Sequence, residues 1–410
     1  MKKLIAIFFI FIFGFAKAQT YPNGWIDYSK TYYKFKVAAN GLYHISQAAL
    51  NNLGLSHIPA EHFQLWRNGQ QVSIYTSTST GPLPANGFIE FWGLMNDGKP
   101  DTKLYINPDY QMSDHFSLQT DTAAYFLTVN PSGNSLRYTD NPNNTAGNTL
   151  TPEPYFMNVL GNYFKTQISP GFAAIVGTYV YSSSYDIGEG WVSSDIYPAT
   201  PFSAGFNNIN LYNGGPGFSL KFAAAGSADN IRNIRVKIFN SIVDDETMSS
   251  FSYTRKNLTN LPISLLSDPN NIQVNFINTS TEPTDRMNVS FDEITYPSKF
   301  IFNNLPNFYF QLPASAKGNY LVIDQFNYGT VAPVLFDLNS GKRYLGDIST
   351  PGKVRFVLPP STDTLRRFQL SSEDPGQIKN VTNFEKRNFI NHGATANQGH
   401  YLIISNHLLY

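Results

Sequence analysis

The chain has 410 residues, room for roughly two to four domains, and its 29 acidic and 29 basic residues cancel. With no net charge, no global field draws it to nucleic acid or to an anionic membrane surface. Cysteine is absent, which excludes a thiol nucleophile, a thiolate metal site and a disulfide framework within these residues. Stability must therefore come from core burial in domains of adequate size. Charged residues make up 14% and aromatics 15%, with 25 Tyr and 32 Phe. Set against a usual charged share of ~25%, this composition favours strands, and the frequent Asn, Gly, Pro and Ser favour turns.

The amino terminus carries Lys2 and Lys3, an apolar stretch from Leu4 to Phe15, and Ala16-Lys17-Ala18 before Gln19. A charged segment, a short apolar segment and a small-residue cleavage site in that order predict a secretory signal peptide over 1–18. The apolar stretch falls short of the ~20 residues of an ordinary membrane span, and no later stretch is long enough. The expected location is exported: periplasm, cell surface or extracellular.

Residues 19–130 read as an amino-terminal β-rich domain. Tyr33, Phe35 and Val37 alternate with Lys34 and Lys36, the pattern of a half-buried strand. Ser46 is placed to cap a short helix through Leu50 and Leu53, ended by Gly54. Asn68-Gly69 between two apolar runs predicts a hairpin. Phe88 to Trp92 and Ala124 to Val129 supply further strands. The run 131–154 is rich in Asn, Thr, Pro and Gly and reads as a linker or long exposed loop.

Residues 155–297 read as a jelly-roll-like β-sandwich. Its opening stretch, Tyr155 to Trp191, has no clear period, but the rest alternates cleanly. Ile234, Val236 and Ile238 face one way; Ile272, Val274 and Phe276 repeat the scheme, as do Met287, Val289 and Phe291. Residues 298–390 are either an Ig-like sandwich of their own or a continuation of the previous one. Residues 391–399 form a small-residue linker into Tyr401-Leu402-Ile403-Ile404. That unbroken apolar run suits a strand covered on both faces. The expected fold class is all-β, tandem sandwich or jelly-roll domains, ending over 391–410 on the first strand of a truncated α/β domain.

No nucleophile elbow, zinc-protease helix, phosphate loop or dinucleotide fingerprint is present. The seven histidines, including His44 and His115, read as structural. One acidic loop has two readings. Asn96, Asp97 and Asp101 place oxygen side chains around Gly98, a partial set for calcium, which takes six to eight oxygens; a plain Asx-type turn is the other. Tyr185 to Trp191 is a second acidic, Gly-flanked segment. The four tryptophans, Trp25, Trp66, Trp92 and Trp191, suit either core packing or a sugar-stacking platform.

Several segments taken in order resemble the amino-terminal region of gingipain-type cysteine peptidases, in the sortase-like branch associated with type IX secretion. They are Asn40 to Ile45, Leu65 to Gln70, Phe88 to Gly93 running into Asn96-Asp97-Gly98, Tyr185 to Trp191, Phe291 to Pro297, and Tyr401 to Ser405. The resemblance implies β-rich domains ahead of a caspase-like α/β peptidase domain whose His-Cys dyad lies beyond Tyr410. No catalytic residue is carried over to this chain. The implied partners are its own peptidase domain, secreted cargo proteins and secretion-system components. The expected role is a secreted, non-catalytic region that positions or braces a peptidase. The alternative is a free-standing adhesin or carbohydrate-binding β-sandwich protein.

Overall fold

A computed structural model describes residues 23–133, 135–182 and 185–399. The signal-peptide segment 1–18 and the strand expected at Tyr401 to Ile404 lie outside the described residues. The fold is almost wholly β, arranged as three successive pairs of sheets. Among the described residues no helix is long and apolar enough to cross a membrane.

In the first unit, Tyr32–Val37 pairs antiparallel with Ala123–Val129, which pairs with Phe63–Arg67 and through it with Gln70–Val72. Gly41–Ser46, Phe88–Gly93 and Tyr75–Thr76 build the facing sheet. Phe35, Ile45, Phe63, Ile89, Phe91 and Leu127 fill the space between them. Local chemistry sets the connections. Asn68 and Gly69 both take positive φ, 50° and 75°, and close a tight hairpin whose twist matches its strands. The Ser46 side chain accepts from the Ala49 amide and starts the helix Gln47–Asn52, and Gly54 at φ 74° turns the chain out of it.

In the second unit, Phe202–Phe206, Ile272–Asn278, Ile231–Ile238 and Ser241–Ser249 form one antiparallel sheet. Tyr253–Leu261, Phe218–Gly226, Met287–Ser298 and Phe156–Tyr163 form the other. Every second residue of these strands points into one apolar core, including Phe222, Ile234, Val236, Val274, Phe276 and Ile294. A bulge at Ser290, opposite Ala223 and Ala224, reverses the facing of Met287–Ser298 part-way along. Phe291 therefore leaves the side of Met287 and Val289, and Asp292 takes it. The aperiodic stretch after Tyr155 resolves into the edge strand Phe156–Tyr163 and two small hairpins, Gln167–Pro170 with Glu189–Val192 and Ala173–Ile175 with Tyr179–Tyr181.

The third unit packs a five-stranded sheet on a three-stranded one around a core of its own, with Phe302, Phe310, Ile323, Phe356 and Leu370. Phe156 opens a strand of the second unit yet lies in this core, which ties the two sandwiches together.

Two segments cross between units. Residues 135–138 stay on the first unit, where Arg137 bridges Ile74 and donates to the Phe63 carbonyl, and 139–153 are strapped to the third. Thr139–Asp140 adds a parallel strand to it, Asn143 donates to the Leu345 and Arg355 carbonyls at 2.9 Å each, and the Val357 amide donates to Asn143. Side-chain amides replace the ladder that a polar sequence does not advertise. Residues 379–387 leave the third unit and return to the first. Lys379–Asn380 pairs parallel with Gly41–Ser46, and Glu385–Arg387 pairs antiparallel with Tyr32–Val37. Val381 joins the first core, and Phe389 packs edge-on against Trp25 and Tyr32, at 5.6 and 5.1 Å.

Candidate functional site

Two seams between units hold the chemistry-bearing side chains. The first joins the loop after Phe88–Gly93 to the second unit. Asn96 is fixed by backbone and side chain, its amide donating to Asp121 O at 2.8 Å and its Nδ2 to Thr120 O at 2.7 Å. Asp97 accepts from the Lys99 amide and pairs with the Lys99 ammonium at 3.4 Å. Asp101 is only 4% exposed; its carboxylate accepts from Ser117 Oγ at 2.9 and 3.1 Å and from the Leu118 amide at 2.8 Å. It closes the loop on itself across sixteen residues of chain.

Asn96 and Asp97 line a cleft of about 590 Å³ with Asn40, Asp114, His115 and Tyr163; Asp101 is not among its walls. The structure thus brings two of the three calcium candidates to one surface and gives the third an internal role. Asp97 is already opposed by a lysine and Asp101 already saturated, so the loop as it stands offers calcium well under six free oxygens. Among the described residues no three of His, Asp and Glu gather into a metal-holding group. His115 lies flat on Tyr163, ring centroids 3.3 Å apart, and Tyr163 donates to Glu293 at 2.6 Å. Burial holds the His115 imidazole below its ordinary pKa despite Asp114 and Glu293 nearby, favouring the neutral ring.

The acidic segment Tyr185 to Trp191 docks on the same loop. Trp191 Nε1 donates to Ser117 O at 3.2 Å, Tyr105 donates to Glu189 O at 2.8 Å, and Gln119 bonds the Tyr185 hydroxyl. Lys165 sits 5.1 Å over both the Phe116 and Trp191 rings and pairs with Asp121 at 2.6 Å. Trp25 and Trp66 pack together at 5.7 Å, and Trp92 packs beside Leu42 and Phe336. Each of the four half-buried tryptophans thus makes contacts within the chain.

The second seam joins the first and third units through a buried ionic knot. Glu90, with 0% exposure, meets His44 Nε2 at 2.8 Å and Arg343 Nε at 3.5 Å. Arg343 also pairs with Asp140 at 2.9 Å and with Glu373, and its guanidinium lies 4.3 Å over the Tyr75 ring. Tyr75 donates to Asp140 at 3.2 Å, and His44 stacks on Phe88 at 4.0 Å. Burial, reinforced by Glu90, pushes the Glu373 carboxyl above the usual range. Burial opposes the Arg343 charge, but Glu373 and Glu90 outweigh it and raise its pKa. Sequence reasoning passed over this group. The available signal was Glu90, a carboxylate inside the otherwise apolar run Phe88 to Trp92.

No family model matches the chain, and no curated protein matches it. Among solved structures it is similar to dimeric latent PorU from Porphyromonas gingivalis, with 13% identity and a TM-score of 0.49. That match covers 86% of this chain and 32% of the other, so the chain spans about a third of the PorU chain. It is also similar to a carbohydrate-binding module, CBM36, in complex with calcium and xylotriose, at 15% identity and a TM-score of 0.21, over 33% of this chain and 98% of that one. A third likeness, 11% identity and a TM-score of 0.21, is to the CBM36-1 domain of a multidomain xylanase from the hindgut metagenome of Trinervitermes trinervoides, over 33% of this chain and 96% of that one.

Proposed function

We propose that this chain is a secreted, non-catalytic β scaffold that braces a cysteine-peptidase domain continuing from residues 391–410. The observation that carries the reading is the return of Lys379 to Phe389 to the first unit. A chain bound only for a following domain has no need to turn back. Here it pairs with two first-unit strands and buries Val381 before reaching 391–399. Whatever follows is then held against an assembled three-unit block instead of swinging from the third sandwich alone. Rigid support of this kind is what positions a catalytic constellation within the tolerance that turnover demands. The signal-peptide pattern and the order of gingipain-like segments support the same reading.

The test uses the complete reading frame. Inserting about ten Gly/Ser residues after Phe389 adds a flexible coil without touching either fold. The reading predicts that peptide cleavage or transfer by the downstream domain falls while that domain stays folded. Unchanged turnover overturns the bracing role. A frame that stops at Tyr410, with glycan binding by the 410-residue chain, establishes the adhesin alternative instead.

A further inference from the structure

The second sandwich contains a carboxylic acid in an unusual position. Asp292 lies in the middle of Met287–Ser298, the strand flanked by Phe218–Gly226 and Phe156–Tyr163. Past the Ser290 bulge it shares the inward side with Ile294 and Tyr296, opposite Phe222 on one neighbour and Asn162 on the other. It is 0% exposed, and neither carboxylate oxygen has a hydrogen-bond partner. The Asn162 amide beside it meets no acceptor in good hydrogen-bond geometry, but lies close enough to favour the ionised form to a lesser degree than burial opposes it.

The charged groups around Asp292 do not compensate it. Lys221 and Glu293 lie on the outer side of its own sheet, against the Phe291 ring and the Tyr163 hydroxyl respectively. Facing it, Phe202–Phe206 and Ile272–Asn278 carry no charged residue. Ile231–Ile238 points Arg232 inward, but that guanidinium is used by Asp285, at 2.6 and 2.7 Å, and by the Ala228 and Ser250 carbonyls. Asp244, Glu246 and Lys256 stand at the far edge, where Lys256 and Glu246 pair at 3.0 Å. An ionised carboxylate cannot stay in such a place without a partner, because losing its hydration costs far more than any contact here returns.

We propose that Asp292 is held as a neutral carboxylic acid in the folded protein, making the second sandwich a proton-binding core that is firmest in mildly acidic surroundings. Burial raises its pKa to about 7, with Asn162 only moderating the shift. The sign follows from linkage. The folded state keeps this proton up to about pH 7, whereas the unfolded chain releases it near the ordinary Asp value of ~3.9. The associated stability is complete below the unfolded value and is lost as pH rises through the folded one. Above that point the acid ionises within the core, on the strand that pairs with the cleft-lining stretch Gly161 to Tyr163.

The test compares thermal melts of the full chain and its Asp292→Asn variant from about pH 5 to about pH 8.5, in excess calcium and in excess chelator. Asn keeps the shape and cannot ionise. The expected result is a wild-type melting temperature that falls with rising pH, a shallower fall in the variant, and a gap that widens in the variant's favour by several degrees. A Glu373→Gln control separates the other carboxyl raised to about 7 from this one. A gap that is constant with pH overturns the proposal, as does one that appears only in calcium, which makes Asp292 an ionised cation ligand. Should Asp292→Asn fail to fold, isotope-edited infrared of the wild type reads the carboxyl directly, and an ionised signal at about pH 6 overturns the proposal.

Discussion

At the scale of single residues, the most consequential side chain is Arg343. It is one buried cation set among Glu90, Glu373 and Asp140, and it centres the ionic contact between the first and third units. A buried ion pair adds little net stability over a well-packed apolar substitute, but removing one partner strands the others. Arg343→Leu is therefore expected to cost about 3–5 kcal/mol in denaturant unfolding, the range for an uncompensated buried charge. Adding Glu373→Gln should recover part of that loss, since it removes one of the stranded carboxylates. Equal loss in the single and double variants would mean that the guanidinium acts through packing over Tyr75 and not through charge. The group was invisible beforehand because residues 44, 75, 90, 140, 343 and 373 share no spacing. Only the strap at 139–140 and the pairing of the third unit bring them together.

At the scale of elements, legibility followed hydrogen-bonding pattern. Strands that bury every second residue showed their period in the sequence, as in Ile234-Val236-Ile238 and Ile272-Val274-Phe276, and all six residues are fully buried. The Asn68-Gly69 hairpin and the Ser46 cap were equally legible, because positive φ and an orphan amide each select a residue type. The returning strands Lys379–Asn380 and Glu385–Arg387 were not, being two and three residues long, polar and exposed. The loop Asn96 to Phe116 lay between these cases: its composition marked a turn, but not which carboxylate faced inward. Asp101 holds that loop through Ser117 and Leu118. Asp101→Ala leaves those donors unmatched and should cost about 1–3 kcal/mol, by the same amount in calcium and in chelator. A loss confined to calcium-containing buffer would show that an ion, and not the hydroxyl and amide, occupies the carboxylate in solution.

At the scale of the whole molecule, the three units are laced into one block. The strap over 139–153 and Phe156 reach forward to the third unit, and the segment 379–389 returns to the first. The direct measurement is calorimetry on three forms: the full chain, a chain ending at Gly399, and a chain ending at Ile378. Ending at Gly399 keeps every contact described above, and the melt should stay nearly unchanged. Ending at Ile378 removes two edge strands, Val381 and Phe389, and should drop the transition of the first unit well below the rest. Superimposable melts for all three forms would contradict the lacing, and with it the claim that this chain acts as a brace.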